Sequence, residues 1–286
     1  MKLSEEMKNK TLLSFELFPP KTEKGLQNLP GTIDHLMKYN PSYISCTYGA
    51  GGGNVGANRE VCQMIKNAGT TPVTHFTVIK NTKEGIKEQL DQYLADGVDH
   101  MLALRGDIPE GREFPETDQY HYAYELIREI KKQGDFCIGA ACYPEGHVEN
   151  EHKEDDIAYL KQKVDCGVDF LTTQMFFDNA ILYNFLYRIR EKGITVPVLP
   201  GIMPVTNSRQ MTRICKLSGT VLPQRFHAIL DRFGEKPEAM KQAGIAYATD
   251  QIIDLIANGI DHIHIYSMNK PEVAAAIMTN LSEILR

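Results

Sequence analysis

Two ionisable side chains of this 286-residue sequence lie inside short apolar runs: Glu16 in residues 12–18 and His75 in residues 72–78. A carboxyl group in such a run is costly to bury without a partner. Burial is also expected to raise its pKa and to suit it to proton donation near neutral pH. Glu16 is therefore a candidate general acid, and a structural ion pair, for example with Arg105, is the equal alternative.

Polar residues end most of the apolar runs in the same way. They are Glu16, Thr47, His75, Arg105 with Asp107, Tyr143 with Glu145 and His147, Gln174, and Tyr266 with Asn269 and Lys270. One such residue is usually a turn former or a satisfied hydrogen-bonding group. Seven runs that each end in a polar residue are difficult to explain as seven unrelated turns. We therefore expect these polar side chains to share a site.

A glycine-rich loop follows the second apolar run. It contains a G-x-G-x-x-G pattern at Gly51, Gly53 and Gly56, which between a strand and a helix is typical of dinucleotide binding. The next run supplies His75 but no acidic residue for a ribose, as that binding mode requires. The pattern favours instead a loop whose bare backbone lets a ligand approach closely.

Three further side chains indicate other kinds of chemistry. His262 and His264 lie on one face of the last run and could ligate a metal, but no third ligand is visible. This favours hydrogen-bonded histidines inside the fold. Lys80 follows the third run and could form a Schiff base, although most lysines in such a position are simply solvated.

Short β-branched or aromatic runs alternate with longer helical patterns, and these elements must position the polar side chains. The predicted strands are Ser14–Phe18, Tyr43–Thr47, Pro72–Val78, His100–Leu104, Phe136–Cys142, Phe170–Gln174, Val196–Pro200 and His262–Tyr266. The predicted helices are Leu26–Tyr39, Val55–Ala68, Thr82–Asp96, Tyr120–Gln133, Asp155–Cys166, Ala180–Lys192, Ser208–Leu217, Arg225–Phe233, Glu238–Ala257 and Glu272–Leu285. Asp178 and Asn207 are predicted helix caps. Asn81 is predicted to form a capping box with Glu84.

Strict alternation of strands and helices favours a parallel sheet. Eight units in this length match a closed (β/α)8 TIM barrel of the α/β class, with extra helices before and after the last strand. A doubly wound open sheet is the structural alternative. Chemistry in a barrel takes place at the carboxyl ends of the strands, which is where the polar residues above are predicted to lie.

Composition narrows the class of protein. The formal net charge is −6, and an acidic chain of this kind is not expected to bind nucleic acid. No apolar stretch has the length of a membrane span, and the first residues lack the apolar core of a signal peptide. Six scattered cysteines without a C-x-x-C pair indicate reduced thiols in the cytoplasm. No linker divides the sequence, so residues 1–286 are predicted to form a single domain that could self-associate.

Eight short motifs occur in order along residues 12 to 270. They are Ser14–Thr22 (SFELFPPKT), Thr47–Gly52 (TYGAGG), His75–Thr77 (HFT), Ala103–Pro109 (ALRGDIP), Tyr143–His147 (YPEGH), Thr173–Asp178 (TQMFFD), Pro200–Val205 (PGIMPV) and His264–Asn269 (HIYSMN). Together they resemble the methylenetetrahydrofolate reductase family. The sequence ends near the predicted barrel, so it looks like the short prokaryotic form without a regulatory extension.

The resemblance implies an oxidoreductase that carries FAD and reduces 5,10-methylenetetrahydrofolate to 5-methyltetrahydrofolate, in one-carbon metabolism and methionine supply. The flavin would accept a hydride from NADH or NADPH and pass it to the one-carbon unit. Glu16 matches the family's general acid, which promotes opening of the five-membered ring of the folate. Asp107 matches a carboxylate near the flavin and the pterin, where negative charge would steady a cationic folate intermediate.

Further residues match binding positions of the family, which include no metal. Those on the flavin side are Thr47, His75, Arg105, Gly106, Asp107, Tyr122, Ala123, Ala141, Tyr143, His147, Asp156, Tyr159 and Lys163. Within this set, Arg105, His147 and Lys163 are natural partners for a pyrophosphate. On the folate side the matching residues are Glu16, Gln174, Tyr266 and Lys270.

Three positions depart from the pattern of the family. Tyr159 stands where many members have Asn on the FAD, and Lys270 stands where many have Arg near the substrate. Both changes should only modulate affinity. Ile214 stands where some bacterial members have an aromatic residue that stacks on the nicotinamide, which leaves the donor open between NADH, NADPH and a redox partner protein.

Two other functions stay open at this point. A barrel aldolase that depends on Lys80 is one, and a non-catalytic flavin- or folate-binding protein is the other. Glu16 and Asp107 are both present, which argues against a loss of catalysis.

Overall fold

A computed structural model describes residues 3–8, 10–48, 55–79, 81–108, 114–116, 118–150 and 152–285. The strands are β1 Leu12–Leu17, β2 Tyr43–Cys46, β3 Thr71–Thr77, β4 His100–Leu104, β5 Cys137–Cys142, β6 Phe170–Thr173, β7 Val198–Leu199, β8 Gly201–Ile202 and β9 His262–Ile265. The helices are α1 Leu3–Glu6, α2 Glu23–Met37, α3 Val55–Asn67, α4 Lys83–Ala95, α5 Ala123–Gln133, α6 Lys153–Asp165, α7 Asn179–Glu191, α8 Met211–Ser218, α9 Gln224–Phe233, α10 Pro237–Ala257 and α11 Pro271–Asn280, with a 3-10 turn at Ser208–Gln210.

All strand pairs are parallel, and the strand order is β7-β6-β5-β4-β3-β2-β1-β9-β8. The two ends of this order, β7 and β8, are consecutive in the chain and separated by Pro200 alone, so the sheet closes on itself. A doubly wound open sheet would reverse its strand order in the middle, and this one does not. The predicted (β/α)8 barrel is confirmed, and the open-sheet alternative is wrong.

β7 and β8 are two halves of the seventh barrel strand. β7 pairs with β6 and β8 pairs with β9. Pro200 separates them because it has no N–H to donate, while its carbonyl accepts a hydrogen bond from the His264 N–H at 3.0 Å. The predicted strand Val196–Pro200 is therefore wrong in its bounds, since the extended segment begins at Val198 and continues to Ile202.

The other predicted elements are close to the observed ones, with two exceptions. The predicted last helix, Glu272–Leu285, ends at Asn280. Asn81 does not cap α4, because Thr82 is the cap and its Oγ1 accepts from the Gly85 N–H at 3.1 Å. The amide of Asn81 donates instead to the Thr77 carbonyl at 2.8 Å.

The helix caps predicted at Asp178 and Asn207 are confirmed. The short helix α1 was not predicted. No helix among the described residues has the length and apolar character needed to cross a membrane. All six cysteines are free.

An apolar layer fills the amino-terminal half of the barrel interior. Its members come from seven consecutive strands and from the segment at α1: Leu12, Tyr43, Val73, Leu102, Cys137, Phe170 and Leu199, with Leu3 and Met7. A larger cluster packs the outer face of the sheet against the helices. Because side chains of a strand alternate between two faces, the residues two positions further along each strand also point into the barrel, nearer its carboxyl end.

Candidate active site at the carboxyl end of the barrel

Period-two alternation brings polar side chains into the upper half of the barrel. In β1, Leu12 belongs to the apolar layer, and Ser14 and Glu16 follow it on the same face. In β3, His75 follows Val73 in the same way. In β9, the inward residue nearest the carboxyl end is His264, which is 1% exposed. The predicted convergence of Glu16 and His75 is confirmed by a direct contact.

Glu16 lies between two imidazoles. Its Oε2 is 3.3 Å from Nε2 of His75 and 3.8 Å from Nε2 of His264. The side chain of Glu16 is only 18% exposed. Arg105 does not contact it, because Arg105 forms a two-pronged ion pair with Glu149, at 2.5 and 2.6 Å. The alternative in which Glu16 pairs with Arg105 is therefore wrong.

The pKa of Glu16 differs from the sequence-based expectation. Burial of the carboxyl raises its pKa, as expected, but the nearby imidazoles of His264 and His75 outweigh burial and bring the pKa down to about 2. The expectation of a raised pKa is wrong because it considered burial and neglected the two imidazoles beside the carboxyl. At rest the carboxyl of Glu16 is therefore ionised.

His264 is held from behind by β1 and β2. Its Nδ1 is 2.8 Å from Oγ of Ser14 and 3.4 Å from the hydroxyl of Tyr43. The Tyr43 ring stacks on the imidazole, with centroids 5.7 Å apart, and the Tyr266 ring meets it edge to face at 5.2 Å. These contacts fix the ring so that Nε2 faces Glu16.

Tyr266 closes the side of this cluster. Its hydroxyl donates to the Thr173 carbonyl at 2.6 Å. A Cβ at Gly201 would lie 2.5 Å from the Tyr266 ring, so only glycine allows β8 to approach this closely. Lys270, from the folate-side set, donates through Nζ to Oγ1 of Thr206 at 2.8 Å. Gln174 follows β6, and its N–H donates to the Cys142 carbonyl at 2.7 Å.

A second group, which we call the cationic group, gathers beside β5 and consists of Arg105, Tyr143, His147 and Lys163. The Tyr143 ring meets the His147 ring edge to face, with centroids 4.7 Å apart. Nζ of Lys163 lies 5.9 Å from the centroid of the Tyr143 ring. Lys163 donates to the Ala141 carbonyl at 2.7 Å. Burial lowers the pKa of Lys163 and also that of His147.

Three carboxylates border the cationic group. Glu149 pairs with Arg105, and this hydrogen-bonded pair raises the pKa of the guanidinium. Asp156 is buried and accepts from the Asn150 amide at 2.7 Å. Asp107 is exposed at the end of β4. Burial raises the pKa of Tyr143, and the charges of Asp156 and Asp107 raise it further, so both carboxylates face this group.

The remaining flavin-side positions vary in their surroundings. The Thr47 carbonyl accepts from the Asn58 amide at 2.8 Å, which fixes the backbone at the end of β2. Gly106 has a φ of +89°, and a Cβ there would meet Ile79 at 3.0 Å, so glycine is required. Ala123 begins α5, and its neighbour Tyr122 is 55% exposed.

The other residues singled out in the sequence make no contact with these two groups or lie outside the described residues. Tyr159 is 56% exposed on α6. Lys80, Gly51 and Gly53 lie outside the described residues. His262 shares a face of β9 with His264, but the described residues contain no cluster of three or more metal-ligating side chains.

The surroundings of the cationic group fit the pyrophosphate of FAD. Lys163 is half-buried and donates to a neutral carbonyl, so its ammonium can gain a charge-assisted bond to an anion. Arg105 and His147 lie beside it and present donors of the kind that bind phosphate oxygens.

Sequence reasoning missed two partners in this site. Ser14 was grouped with an apolar strand, although its spacing of two from Glu16 places both on one face. Glu149 was not among the predicted site residues, and nothing in its spacing predicts a bond to Arg105, which is 44 residues away.

The fold and this ring of ionisable side chains define a TIM-barrel protein with a candidate active site at the carboxyl ends of its strands. The family profile described as methylenetetrahydrofolate reductase matches residues 2–282. The chain belongs to the methylenetetrahydrofolate reductase family.

Individual relatives agree with this assignment. Methylenetetrahydrofolate reductase (NADH) 1 of Arabidopsis thaliana is 35% identical over 288 residues, which cover 96% of this chain and 49% of that protein. The 5,10-methylenetetrahydrofolate reductase of Escherichia coli strain K12 is 33% identical over 277 residues, which cover 96% of this chain and 92% of that protein. The chain thus spans about half the length of the plant relatives it matches and most of the bacterial one.

Two solved structures share the fold. A protein from Clostridium thermocellum that binds two copies of 5-methyl-5,6,7,8-tetrahydrofolic acid has a TM-score of 0.70 at 14% identity, with 99% of both chains covered. A 2,3-dimethylmalate lyase has a TM-score of 0.56 at 14% identity and covers 99% of this chain and 85% of that one. At such low identity both support the barrel fold alone.

Proposed function

We propose that this chain is an FAD-dependent oxidoreductase that reduces 5,10-methylenetetrahydrofolate to 5-methyltetrahydrofolate. We further propose that residues 1–286 act as a single catalytic domain in the cytoplasm. The observation that carries the proposal is the contact of Glu16 with two imidazoles at the carboxyl end of the barrel, in a chain that belongs to this family.

Glu16 would protonate the folate nitrogen that leaves the one-carbon unit when the five-membered ring opens. A proton donor must lie within hydrogen-bonding reach of the atom that it protonates, and Glu16 is partly open to the barrel mouth. The carboxyl cannot be the resting store of this proton, because its pKa is about 2. A proton must therefore reach the carboxyl before Glu16 can act as the acid.

The folate would lie over Glu16, with Gln174, Tyr266 and Lys270 around it. Tyr266 is fixed by its bond to Thr173, and burial raises its pKa well above the ordinary value, so it stays neutral and forms an apolar wall. Lys270 would face the acidic part of the folate. Its acceptor, Oγ1 of Thr206, is a neutral hydroxyl, and Lys270 can exchange it for a carboxylate.

Arg105, His147 and Lys163 would hold the pyrophosphate of FAD, and the other flavin-side residues would line the rest of its site. Bound FAD would supply the hydride that the one-carbon unit receives. Asp107 would place a negative charge beside the cationic folate intermediate. Its exposure lets it face a ligand at the mouth of the barrel.

We propose NADH or NADPH as the electron donor. The plant relative is described as an NADH enzyme, which supports NADH. Ile214, a half-buried residue of α8, offers an aliphatic and not an aromatic surface to a nicotinamide. A redox partner protein is the alternative donor, and it is the one that Ile214 favours.

The visible absorption spectrum of the purified protein, recorded before and after anaerobic NADH, tests the proposal. A flavin spectrum that bleaches, and that returns when methylenetetrahydrofolate is added, supports both half-reactions. A flavin spectrum that NADH does not bleach, but that chemical reduction followed by the folate restores, points to a different donor. A colourless protein that takes up no added FAD overturns the proposal.

A further inference from the structure

We propose, on the basis of the FAD site above, that Glu149 is an internal anion that competes with the pyrophosphate of FAD for Arg105. The carboxylate of Glu149 would hold the guanidinium until the cofactor displaces it. Glu149 would thereby set how tightly the site binds a ligand that carries a pyrophosphate, without touching the flavin ring or the folate.

The guanidinium of Arg105 is engaged on both of the edges that could bind a phosphate. Nη1 and Nη2 donate to the two carboxylate oxygens of Glu149, at 2.5 and 2.6 Å. Nε donates to the Gly106 carbonyl at 3.2 Å. A guanidinium binds a phosphate best through two parallel N–H groups, and each such pair here includes a donor that is already engaged. A two-pronged bond to a pyrophosphate therefore requires that one of these acceptors is released.

Glu149 is the acceptor that can leave at the lower cost. Its side chain is 50% exposed, so water can solvate the carboxylate as soon as the pair breaks. The Gly106 carbonyl belongs to the main chain, and the neighbouring Arg105 carbonyl accepts from the Ile79 N–H at 3.0 Å, which anchors this backbone. The side chain of Arg105 is only 21% exposed. The exchange would therefore move one exposed side chain and leave Arg105 in place.

The charge of Glu149 has the sign that competition requires. Its hydrogen bond with Arg105 lowers the pKa of Glu149, so the carboxyl is ionised at neutral pH. The carboxylate thus places a negative charge among the cations that are proposed to bind a pyrophosphate. Like charges repel, so a pyrophosphate gains less from Arg105 while Glu149 lies beside it. Removal of this charge should strengthen the site, whereas removal of an orienting residue would weaken it.

The backbone of Glu149 has a separate contact, which the exchange need not disturb. Its N–H donates to Nδ1 of His147 at 3.2 Å, so the hydrogen of the neutral ring lies on Nε2. Burial lowers the pKa of His147, which keeps the ring neutral near pH 7. His147 can then donate from Nε2 to a phosphate oxygen whether the Glu149 side chain is bound or released.

The variant Glu149→Gln tests the competition. Glutamine keeps the length of the side chain and one acceptor for Arg105, but it removes the negative charge. The matched control is Asp250→Asn, which removes one charge from another exposed arginine–carboxylate pair, that of Arg225 and Asp250 at 2.7 Å. Fluorescence titration of the apoproteins gives their affinities for FAD and for riboflavin, which lacks the phosphates.

We expect Glu149→Gln to bind FAD about three- to tenfold more tightly than the wild type, since the cofactor no longer has to break a charged pair. Asp250→Asn should bind FAD as the wild type does. The affinity for riboflavin should be equal in all three proteins, because this ligand brings no phosphate to compete with Glu149. The gain for FAD should shrink at high salt, which screens exposed charges.

A double-mutant cycle separates competition from orientation. Under competition, Arg105→Gln costs more FAD affinity in the Glu149→Gln background than in the wild type, because the released guanidinium contributes more to binding. If Glu149 instead orients Arg105 for the cofactor, the same replacement costs less in that background. Thermal unfolding of each apoprotein shows that the variants compared are folded.

Inorganic pyrophosphate distinguishes a failure of this proposal from a failure of the proposed function. Its affinity, measured by calorimetry, should rise in Glu149→Gln as that for FAD does. If the wild type takes up no FAD but Glu149→Gln binds pyrophosphate more tightly, the proposed function fails and the role of Glu149 stands. Unchanged or weaker binding of both ligands in Glu149→Gln, or a cycle of the opposite sign, would overturn the proposal.

Discussion

The carboxylate of Glu16 and the ammonium of Lys163 are both half-buried at the carboxyl end of one barrel, yet their partners differ. Glu16 faces His75 and His264, which bring its pKa down to about 2 despite burial. Lys163 donates to the neutral Ala141 carbonyl, and burial lowers its pKa. Glu16 thus meets two imidazoles directly, whereas Lys163 bonds to a neutral carbonyl and feels the charge of Asp156 without a direct bond, so a ligand anion can still bind its ammonium.

This difference suggests that Glu16 serves proton transfer and that Lys163 serves cofactor binding. A self-compensated cluster can keep its geometry without a ligand, and it suits proton transfer, which depends on fixed distances. An uncompensated cation gains most when an anion arrives, and it suits cofactor binding. The comparison predicts that changes at Glu16 will alter rates and acid stability, and that changes at Lys163 will alter affinity.

The largest expected effect is that of Glu16→Gln. The amide is nearly isosteric but cannot donate a carboxylic proton, so the folate half-reaction should slow by about 10²- to 10⁴-fold. FAD content and reduction by the donor should be unchanged, as anaerobic stopped-flow absorbance can measure. Near-normal folate turnover in this variant would show that Glu16 is not the acid.

Acid unfolding should separate Glu16→Gln from the wild type. The folded-state pKa of about 2 lies below the ordinary value of about 4.3, so ionised Glu16 stabilises the fold above about pH 5. This stabilisation, on the order of 2–3 kcal/mol, should disappear as the pH falls toward 2. The wild type should therefore lose more unfolding free energy over this range than the variant. Parallel urea titration curves would contradict the pairing with the imidazoles.

The replacement Lys163→Ala should lower the affinity for FAD and leave the Glu16 cluster intact. Loss of a charge-assisted bond to a pyrophosphate corresponds to roughly a 10- to 100-fold weaker affinity for FAD. The matched control is Lys161→Ala on the same helix, whose exposed lysine pairs with Asp165. Fluorescence titration of apoprotein with FAD measures both. Equal affinities in the two variants would remove Lys163 from the flavin site.

The smallest expected effect is that of Asp107→Asn. Asp107 is exposed, so solvent screens its charge and we expect roughly a tenfold slower folate half-reaction with FAD retained. Stopped-flow measurement at two ionic strengths should show a smaller difference from the wild type at high salt. Unchanged kinetics would reduce Asp107 to a structural role.

Part of the fold was predictable because it depends on local patterns. The run at residues 12–18 predicts a strand, and the alternation within it places Ser14 and Glu16 on one face. The seventh strand was harder, because the break at Pro200 and the change of partner from β6 to β9 depend on barrel closure. Likewise, the cap of α4 was predicted at Asn81 but is Thr82, because the amide of Asn81 donates to the Thr77 carbonyl instead.

The sequence by itself determined that Glu16 and His75 would lie inside a barrel near its carboxyl end, since strand periodicity and the order of elements are local properties of the chain. Only the tertiary structure decided which charges Glu16 would meet. Ser14 and His264 are 250 residues apart, and they became neighbours when β9 paired with β1. Because electrostatic interactions depend on distance in space, the pKa of Glu16 and the choice of Glu149 as the partner of Arg105 followed from closure of the barrel.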